Sequence, residues 1–373
     1  MENIYLDYAA TSLKHFDIYA KVTKQMEEIY ANPSSNHQMG NKANKFFKEA
    51  RKTIADFINA QEKEIIFTSG ATEANNMVFN HVKENYESGE IIISEIEHPS
   101  VSECASRLES LGYKVIRIPS QNNGLIDIKK LKEAISDNTI LISVMLVNNE
   151  TGIINPIKEI TNIAKERNIL VHSDIVQAFA KTEIDVKDLG VDFASVSAHK
   201  IGATNNFGFL YARDGQVTPL LIGGGQENGL RSGTSDIFGA MVLAESIEKT
   251  WSHTQQIAEL KNYLLAKLNE SKIEFEVNAS PELSIANIIN VYFKNIQAQR
   301  LITYLDVNNI YISGTSACSS GSLKASKVIT HIFDEARAEN SVRISIGFNT
   351  NKEKLDILVD KIAKLEERIL ERG

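Results

Sequence analysis

The residue with the clearest chemical potential in this chain is Cys318, because of its neighbours. It lies in a run of small residues, Ser313-Gly314-Thr315-Ser316-Ala317-Cys318-Ser319-Ser320-Gly321-Ser322. Glycine and serine favour a mobile, solvated segment over a packed one, and a mobile thiol is suited to carry a group between two sites. The alternative is an ordinary loop that contains a cysteine, since a reactive thiol needs a local cause.

Four short polar segments elsewhere in the chain could supply the chemistry that makes the Cys318 thiol reactive. Ser197-Ala198-His199-Lys200 ends on a lysine beside apolar residues, and burial makes the neutral amine of a lysine available. His172-Ser173-Asp174-Ile175-Val176-Gln177 places a carboxylate and an amide after an apolar run. Ser69-Gly70-Ala71-Thr72 leads into a helical pattern, whose first amides attract an anion. Glu97-His98-Pro99-Ser100 places an imidazole just before a helix start.

Each segment alone is better explained by a structural role, such as Ser69 or Thr72 capping a helix. Together they describe a lysine that forms an imine, a cradle for an anion, a carboxylate for a ring nitrogen and a flat side chain for stacking. Pyridoxal 5'-phosphate requires this set. The glycine run 223–229 lacks the spacing of a dinucleotide-binding motif and is predicted to be a turn.

These segments follow buried strands that alternate with helices. Seven apolar runs with little polar alternation predict strands in a mostly parallel sheet, at residues 64–68, 91–94, 115–118, 140–144, 169–173, 193–197 and 207–211. Helical spacing over 128–136, with Asp127 as N-cap, and over 157–167 completes an α/β pattern. A ligand of such a sheet binds past the carboxyl ends of its strands.

After about residue 240 the pattern changes to that of a smaller α+β domain. We expect a helical stretch over 241–271, strands over 288–293 and 342–346, and a final helix over 352–372. We predict a large cofactor-binding domain of residues 14–255. The small domain is predicted to combine residues 1–13 and 256–373 and to carry the Cys318 loop.

The composition excludes several classes of protein. The chain has 373 residues, of which 43% are hydrophobic and 24% charged, as in ordinary globular proteins. Its net charge of -8 argues against direct nucleic-acid binding, and no apolar run reaches the roughly 20 residues of a membrane span. Two cysteines, Cys104 and Cys318, make neither a disulfide framework nor a metal site. We therefore expect a cytoplasmic protein without metal, with Cys104 in a packing role.

Ordered markers along nearly the whole chain resemble the cysteine desulfurases of the class V aminotransferase family, which are fold-type-I pyridoxal-phosphate enzymes. The markers are Tyr5-Leu6-Asp7-Tyr8-Ala9-Ala10-Thr11, Asn32-Pro33-Ser34-Ser35-Asn36-His37, Phe67-Thr68-Ser69-Gly70-Ala71-Thr72-Glu73, Asn148-Asn149-Glu150-Thr151-Gly152, Arg231-Ser232-Gly233-Thr234 and Ser341-Val342-Arg343-Ile344-Ser345. Any one marker is weak evidence, whereas all of them in this order are specific.

The resemblance implies a role for each candidate around the cofactor. Lys200 would form the imine and take part in proton transfer, and His98 would stack on the ring and assist proton transfer. Asp174 would pair with the ring nitrogen, while Gln177 and Asn149 would contact the ring hydroxyl. The phosphate would be held by Ala71, Thr72, Ser197 and His199, and by Thr234 reaching in from the neighbouring subunit of a homodimer.

The resemblance also implies a reaction with L-cysteine. Arg343, with Asn149 beside it, would bind the substrate carboxylate through its two-pronged donor geometry. The thiolate of Cys318 would attack the substrate sulfur, which leaves a persulfide on the protein and releases alanine. The long Ser-Ala-Cys loop resembles the iron–sulfur assembly or nitrogenase-type group. The acceptor would then be an iron–sulfur scaffold or a tRNA-thiolation protein.

Three positions depart from the family pattern. Ala203-Thr204-Asn205-Asn206 stands where Gly-Pro-Lys-Gly is usual, which removes a positive charge beside the cofactor. Thr315 occupies the usual place of a glycine three residues before the cysteine, and Leu13 stands where proline is common. None of these changes removes a predicted catalytic group.

Two other kinds of function stay open. A selenocysteine lyase, another lyase or an aminotransferase could use the same fold, but most of these would not need Cys318. A catalytically weak sulfur-transfer partner would be expected to lack Lys200, Asp174 or Cys318, and all three are present.

Overall fold

The computed structural model describes residues 2–314 and 325–371. Its strands are β1 (Ile4–Tyr5), β2 (Ile65–Thr68), β3 (Glu90–Ser94), β4 (Lys114–Ile118), β5 (Thr139–Ser143), β6 (Leu170–Asp174), β7 (Phe193–Ser197), β8 (Gly208–Ala212), β9 (Phe275–Val277), β10 (Ile288–Phe293), β11 (Ile310–Tyr311) and β12 (Ser341–Ser345). Its helices are α1 (Phe16–Met26), α2 (Gln38–Phe57), α3 (Ala71–Asn85), α4 (Pro99–Glu109), α5 (Ile128–Ala134), α6 (Ile157–Lys165), α7 (Val186–Leu189), α8 (Ile237–Trp251), α9 (Thr254–Glu270), α10 (Ala298–Val307), α11 (Lys327–Ile332), α12 (Glu335–Glu339) and α13 (Lys352–Leu370). Within these residues, none of the helices combines the length and apolar character needed to cross a membrane.

The seven predicted strands form one sheet in the order β2-β8-β7-β6-β5-β3-β4. Neighbouring strands from β7 through β6, β5 and β3 to β4 are parallel. β8 runs antiparallel to both β7 and β2. The predicted α/β class with a mostly parallel sheet is therefore confirmed, and each strand lies within one residue of its predicted bounds.

Helices cover both faces of this sheet, which explains its continuously apolar strands. Successive residues of a strand point to opposite faces: Ile92 of β3 belongs to the hydrophobic cluster with α2 and α8. Ile91 and Ile93 belong to the cluster with α3 and α4.

Cys104 of α4 packs against this second cluster, where burial raises the pKa of its thiol to about 11. This supports its predicted packing role.

A second, antiparallel sheet has the order β12-β10-β9. Its hydrophobic cluster combines these strands with α9, α10 and α13 and includes Ile4 and Leu6 from the start of the chain. The parallel pairing of β1 with β11 joins residues that are far apart in sequence. The domain boundaries at residues 13 and 255 stay predictions.

The predicted continuous helix over 241–271 is wrong, because the chain breaks at Ser252 and His253 into α8 and α9. The Ser252 hydroxyl donates to the carbonyl of Lys249 at 3.0 Å, and the Thr254 hydroxyl donates to that of Trp251 at 2.8 Å. Side chains of this kind compete with backbone amides for the carbonyls of a final turn. The spacing of apolar residues, on which the prediction is based, carries no information about this competition.

Candidate active site

A cavity of about 380 Å³ lies past the carboxyl ends of β6 and β7, beside the N-terminus of α3. Ten of the predicted site residues line it, namely Ala71, Thr72, His98, Asn149, Asp174, Gln177, Ser197, His199, Lys200 and Arg343. Thr234 does not line it and is exposed in the segment between β8 and α8. Cys318 lies outside the described residues. The tertiary structure thus gathers most of the predicted residues into one cavity, although their roles stay predictions.

The amine of Lys200 is held at the edge of this cavity by the N-terminal segment. Lys200 lies on a 3-10 turn, Ala198–Ile201, that directly follows β7. Its Nζ donates to the carbonyls of Ala9 at 2.8 Å and Ala10 at 2.7 Å. The turn ends at Gly202 in the left-handed conformation, and a Cβ there would lie 2.6 Å from the carbonyl of Leu13. This glycine therefore allows the N-terminal segment to approach the lysine.

An anion cradle forms where α3 begins. Gly70 is the N-cap with φ of 141°, and no side chain caps the helix, so the alternative that Ser69 or Thr72 is simply a cap is wrong. The first amides of a helix lack intrahelical partners, and Ala71 and Thr72 of this first turn line the cavity. Ser197 is close by, since its Oγ lies 3.5 Å from where a Cβ on Gly70 would be. The arrangement suits a phosphate group.

A hydrogen-bond network links Asp174 to His98. The amide nitrogen of Asn75, which is fully buried, donates to Asp174 Oδ2 at 3.2 Å and to the hydroxyl of Ser100 at 2.8 Å. The Ser100 hydroxyl lies 2.8 Å from His98 Nδ1, and the Ser100 backbone N–H donates to the same atom. Because Nδ1 accepts, the neutral ring carries its proton on Nε2. The network therefore sets the tautomer of His98.

Asp174 keeps its carboxylate buried at the end of β6. Its side chain is only 6% exposed, and Oδ1 accepts from the backbone N–H of Val176 at 3.0 Å. Nearby, the pKa of Glu97 is raised to about 8, first by burial and in addition by the charge of Asp174. Glu97 is thus neutral at pH 7 and adds no second negative charge beside Asp174. Among the described residues Asp174 has no ion-pair partner, so a ligand cation would find it uncompensated.

Arg343 brings a second buried charge into the cavity from the centre of β12. Its side chain is 2% exposed, Nη2 pairs with Asp7 Oδ1 at 2.8 Å, and Nη1 donates to the carbonyl of Asn149 at 2.9 Å. Within the part of the chain that the structure describes, its Nε has no partner. Buried polar atoms are almost always hydrogen-bonded, so this N–H group is a candidate contact for a ligand carboxylate.

Lys14 lies beside residues 203–206, where the sequence departs from the family pattern and lacks the usual lysine. Asn205 and Asn206 line the cavity, and Lys14 Nζ donates to Asn205 Oδ1 and to the carbonyl of Ala203, both at 2.6 Å. The pKa of His199 is lowered to about 3, first by burial and then by the charges of Lys200 and Lys14. His199 is therefore a neutral side chain in a positively charged surrounding.

Sequence reasoning gave no role to Asp7, Asn75, Glu97 and Lys181. Asp7 and Glu97 lay inside quoted motifs, but nothing in the sequence pairs Asp7 with Arg343. Lys181 follows the apolar residues 178–180, which is a sequence signal for a partly buried cation. Within residues 2–314 and 325–371, no group of three or more His, Cys, Asp or Glu side chains could hold a metal ion.

Comparisons with known proteins agree with this geometry. Residues 4–358 match the model of the family described as Aminotransferase class-V. The cysteine desulfurase IscS of Dictyoglomus turgidum is 36% identical over 374 residues, which cover 98% of this chain and 95% of the relative. The solved structure of a NifS-like protein superimposes with a TM-score of 0.90 at 31% identity, covering 98% of this chain and 100% of its own. SspA in complex with cysteine has a TM-score of 0.82 at 36% identity, covering 92% of this chain and 99% of its own.

Proposed function

Because the chain belongs to the class V aminotransferase family, we propose that it is a pyridoxal-phosphate-dependent cysteine desulfurase that converts L-cysteine to L-alanine and moves the sulfur to Cys318. The observation that carries this proposal is the cavity in which Lys200, Asp174 and Arg343 meet. The relatives named cysteine desulfurase and the neighbour in complex with cysteine support the choice of reaction and substrate.

The cavity fits pyridoxal 5'-phosphate in size and chemistry. Its volume of about 380 Å³ lies within the usual range of small-molecule sites. Ala71, Thr72, Ser197 and His199 would hold the phosphate, Asp174 would pair with the ring nitrogen, and Gln177 and Asn149 would contact the ring hydroxyl. When bound, this cofactor withdraws electrons from the α-carbon of an attached amino acid. Lys200 supplies the amine that would hold it.

Substrate binding and proton transfer would be carried out by side chains of this protein. Arg343, oriented by Asp7, would bind the substrate carboxylate and so fix the position of the α-carbon. Lys200 Nζ would then move the α-proton. His98 would lie against the ring with its proton on Nε2, in the tautomer set by Ser100.

Cys318 is proposed as the sulfur acceptor. Its thiolate would form a bond to the substrate sulfur while the carbon–sulfur bond breaks, and the carbon would take up a proton to give alanine. Both described flanks of residues 315–324 are held by residues in or next to the cavity lining. Ser313 exchanges backbone hydrogen bonds with Arg343 at 3.2 and 2.7 Å, and the Ser326 hydroxyl donates to Glu150, next to Asn149, at 2.5 Å.

The assembly and the destination of the sulfur are further parts of the proposal. Thr234 is exposed, and Ile222 in the same segment is 90% exposed, as expected if a second copy of the chain covers this face. A homodimer would let Thr234 reach the phosphate of the neighbouring site. The persulfide would be delivered in the cytoplasm to an iron–sulfur scaffold or a tRNA-thiolation protein.

The proposal is tested by following sulfide and alanine release from L-cysteine. We expect Cys318→Ser to bind the cofactor, seen as its yellow absorbance, and to lose at least about tenfold in both products, since a nucleophile and not a binding group is removed. Cys104→Ser is the matched control, because that thiol is in a packing position. Unchanged alanine release by Cys318→Ser would contradict the persulfide role.

A further inference from the structure

Lys181 is a cation that the proposed reaction does not yet use. It lines a small cavity of about 40 Å³ together with Lys200, which also lines the main cavity. Its Nζ donates to Gln177 Oε1 at 3.2 Å. Among the described residues, the charges that act on it are those of Lys200 and Arg343, and both are positive. Lys181 is half-buried, and a cation that is partly withdrawn from solvent among positive neighbours is costly unless it serves a function.

We propose that Lys181 is a positioning residue for Lys200: its positive charge disfavours a second charge on the Lys200 amine, and its hydrogen bond orients the amide of Gln177. The inference rests on the proposed function, because it assumes that Lys200 forms an imine with pyridoxal 5'-phosphate. It adds a residue that touches neither the cofactor nor the substrate.

The amide orientation follows from the donors and acceptors present. A lysine ammonium only donates, so Gln177 must turn Oε1 toward Lys181. Its Nε2 then donates to the carbonyl of Ala9 at 3.0 Å, and the same carbonyl accepts from Lys200 at 2.8 Å. Lys181 is thereby connected to Lys200 through one amide and one shared carbonyl. The second N–H of Gln177 is left for the main cavity.

The electrostatic part follows from the reciprocity of charge interactions. The pKa of Lys181 is lowered to about 7, first by desolvation and then by the positive charges of Lys200 and Arg343. The same repulsion acts in the other direction, on Lys200. Only a neutral amine attacks a carbonyl to form an imine. Lys181 therefore favours the reactive form of Lys200, and it takes up the charge itself once Lys200 is neutral.

No acid is among the groups whose charge acts on Lys181 in the part of the chain that the structure describes. Asp7 is paired with Arg343, and Asp174 lines the main cavity but not the small one. Tyr8 and His199 are both neutral near pH 7, because burial raises the pKa of Tyr8 to about 12 and lowers that of His199 to about 3. His253 lies across the small cavity.

The test adds pyridoxal 5'-phosphate to the apoenzyme and follows imine formation by its absorbance. The rate of formation is plotted against pH, and the midpoint of this profile is compared between variants. Lys181→Met should move the midpoint of the profile upward by about one pH unit, which is roughly a tenfold slower reaction at pH 7. Lys181→Gln should shift it likewise, although its side chain can still bond Gln177. Lys181→Arg keeps a charge at every pH and should leave the midpoint unchanged or lower it.

Two results would overturn the inference. In one, the midpoint moves in the same direction in the methionine and arginine variants; in the other, it moves in neither variant. Thermal unfolding of the apoproteins shows whether each variant folds, and removal of the buried charge should not lower stability. If the arginine does not fit, the methionine and glutamine variants against wild type decide alone. Wild-type protein that forms no imine would instead refute the proposed function, and this inference with it.

Discussion

Arg343 shows what a single buried residue does at this site. It is the largest of the fully buried side chains, and a buried guanidinium is destabilising unless its hydrogen bonds are satisfied. Asp7 and the carbonyl of Asn149 satisfy two of its nitrogens, which leaves Nε for a ligand. The residue therefore combines a fixed orientation with an open donor.

Arg343→Lys should weaken substrate binding more than turnover. Lysine keeps the charge but loses the planar pair of donors, and a charge-assisted hydrogen bond contributes about 1.5–3 kcal/mol. We expect KM for L-cysteine to rise by roughly 10- to 100-fold, with a smaller change in kcat, in steady-state alanine assays. Arg117→Lys, in an exposed pair with Glu109, is the control. A change confined to kcat would exclude the carboxylate role.

At the scale of elements, the anion cradle depends on close backbone approach. α3 begins directly after its N-cap Gly70, whose φ of 141° is in the region that favours glycine. A Cβ on Gly208 of β8 would lie 2.7 Å from the Cα of Gly70 and 2.3 Å from the carbonyl of Val196. The strand therefore supports the start of the helix directly. The first amides of α3 are held in place by the sheet rather than by a side-chain cap.

Gly70→Ala should weaken cofactor binding beyond its effect on stability. The matched control is Gly112→Ala, which has φ of 99° and no atom within 4 Å of a Cβ. Both changes add similar backbone strain, on the order of 1 kcal/mol, measured by denaturant unfolding of the apoproteins. Only Gly70→Ala should raise the Kd for pyridoxal 5'-phosphate, measured by fluorescence titration. Equal Kd values would show that the start of α3 does not hold the phosphate.

At the scale of the whole molecule, the cavity draws on both sheets and on the chain start. Ala9 and Ala10 precede the first helix, Asp174 and Lys200 follow strands of the large sheet, and Arg343 lies on the small antiparallel one. Thr234 is not among the residues that line the cavity and lies in an exposed segment. If Thr234 contacts the phosphate as we propose, it does so from a second copy of the chain.

Mixing two inactive variants tests this sharing. Lys200→Ala and Thr234→Ala homodimers should each bind pyridoxal 5'-phosphate poorly or not productively. A mixed dimer would contain one intact site, made of Lys200 from one subunit and Thr234 from the other. We expect roughly a quarter of wild-type alanine release after refolding an equal mixture, since about half of the dimers are mixed. No recovery, with mixed dimers verified by two affinity tags, would refute a shared site.

Much of the local structure could be predicted from sequence because its causes are local. Continuous apolar runs specify strands buried on both faces, and Asp127 caps α5 as expected, accepting from Lys130 N–H at 3.1 Å. The break between α8 and α9 was missed because it comes from side chains that compete for carbonyls. Lys181 was missed because its meaning depends on Lys200 and Gln177, which only folding brings close.

The sequence by itself determined the strand pattern, the candidate residues and the family, since periodicity and ordered motifs survive without coordinates. Only the tertiary structure decided that Asp7 orients Arg343, that Asn75 and Ser100 set the tautomer of His98, and that Lys14 stands beside residues 203–206. These are contacts between segments distant along the chain. Their physical basis is burial, which makes each hydrogen bond and charge depend on neighbours that no local pattern specifies.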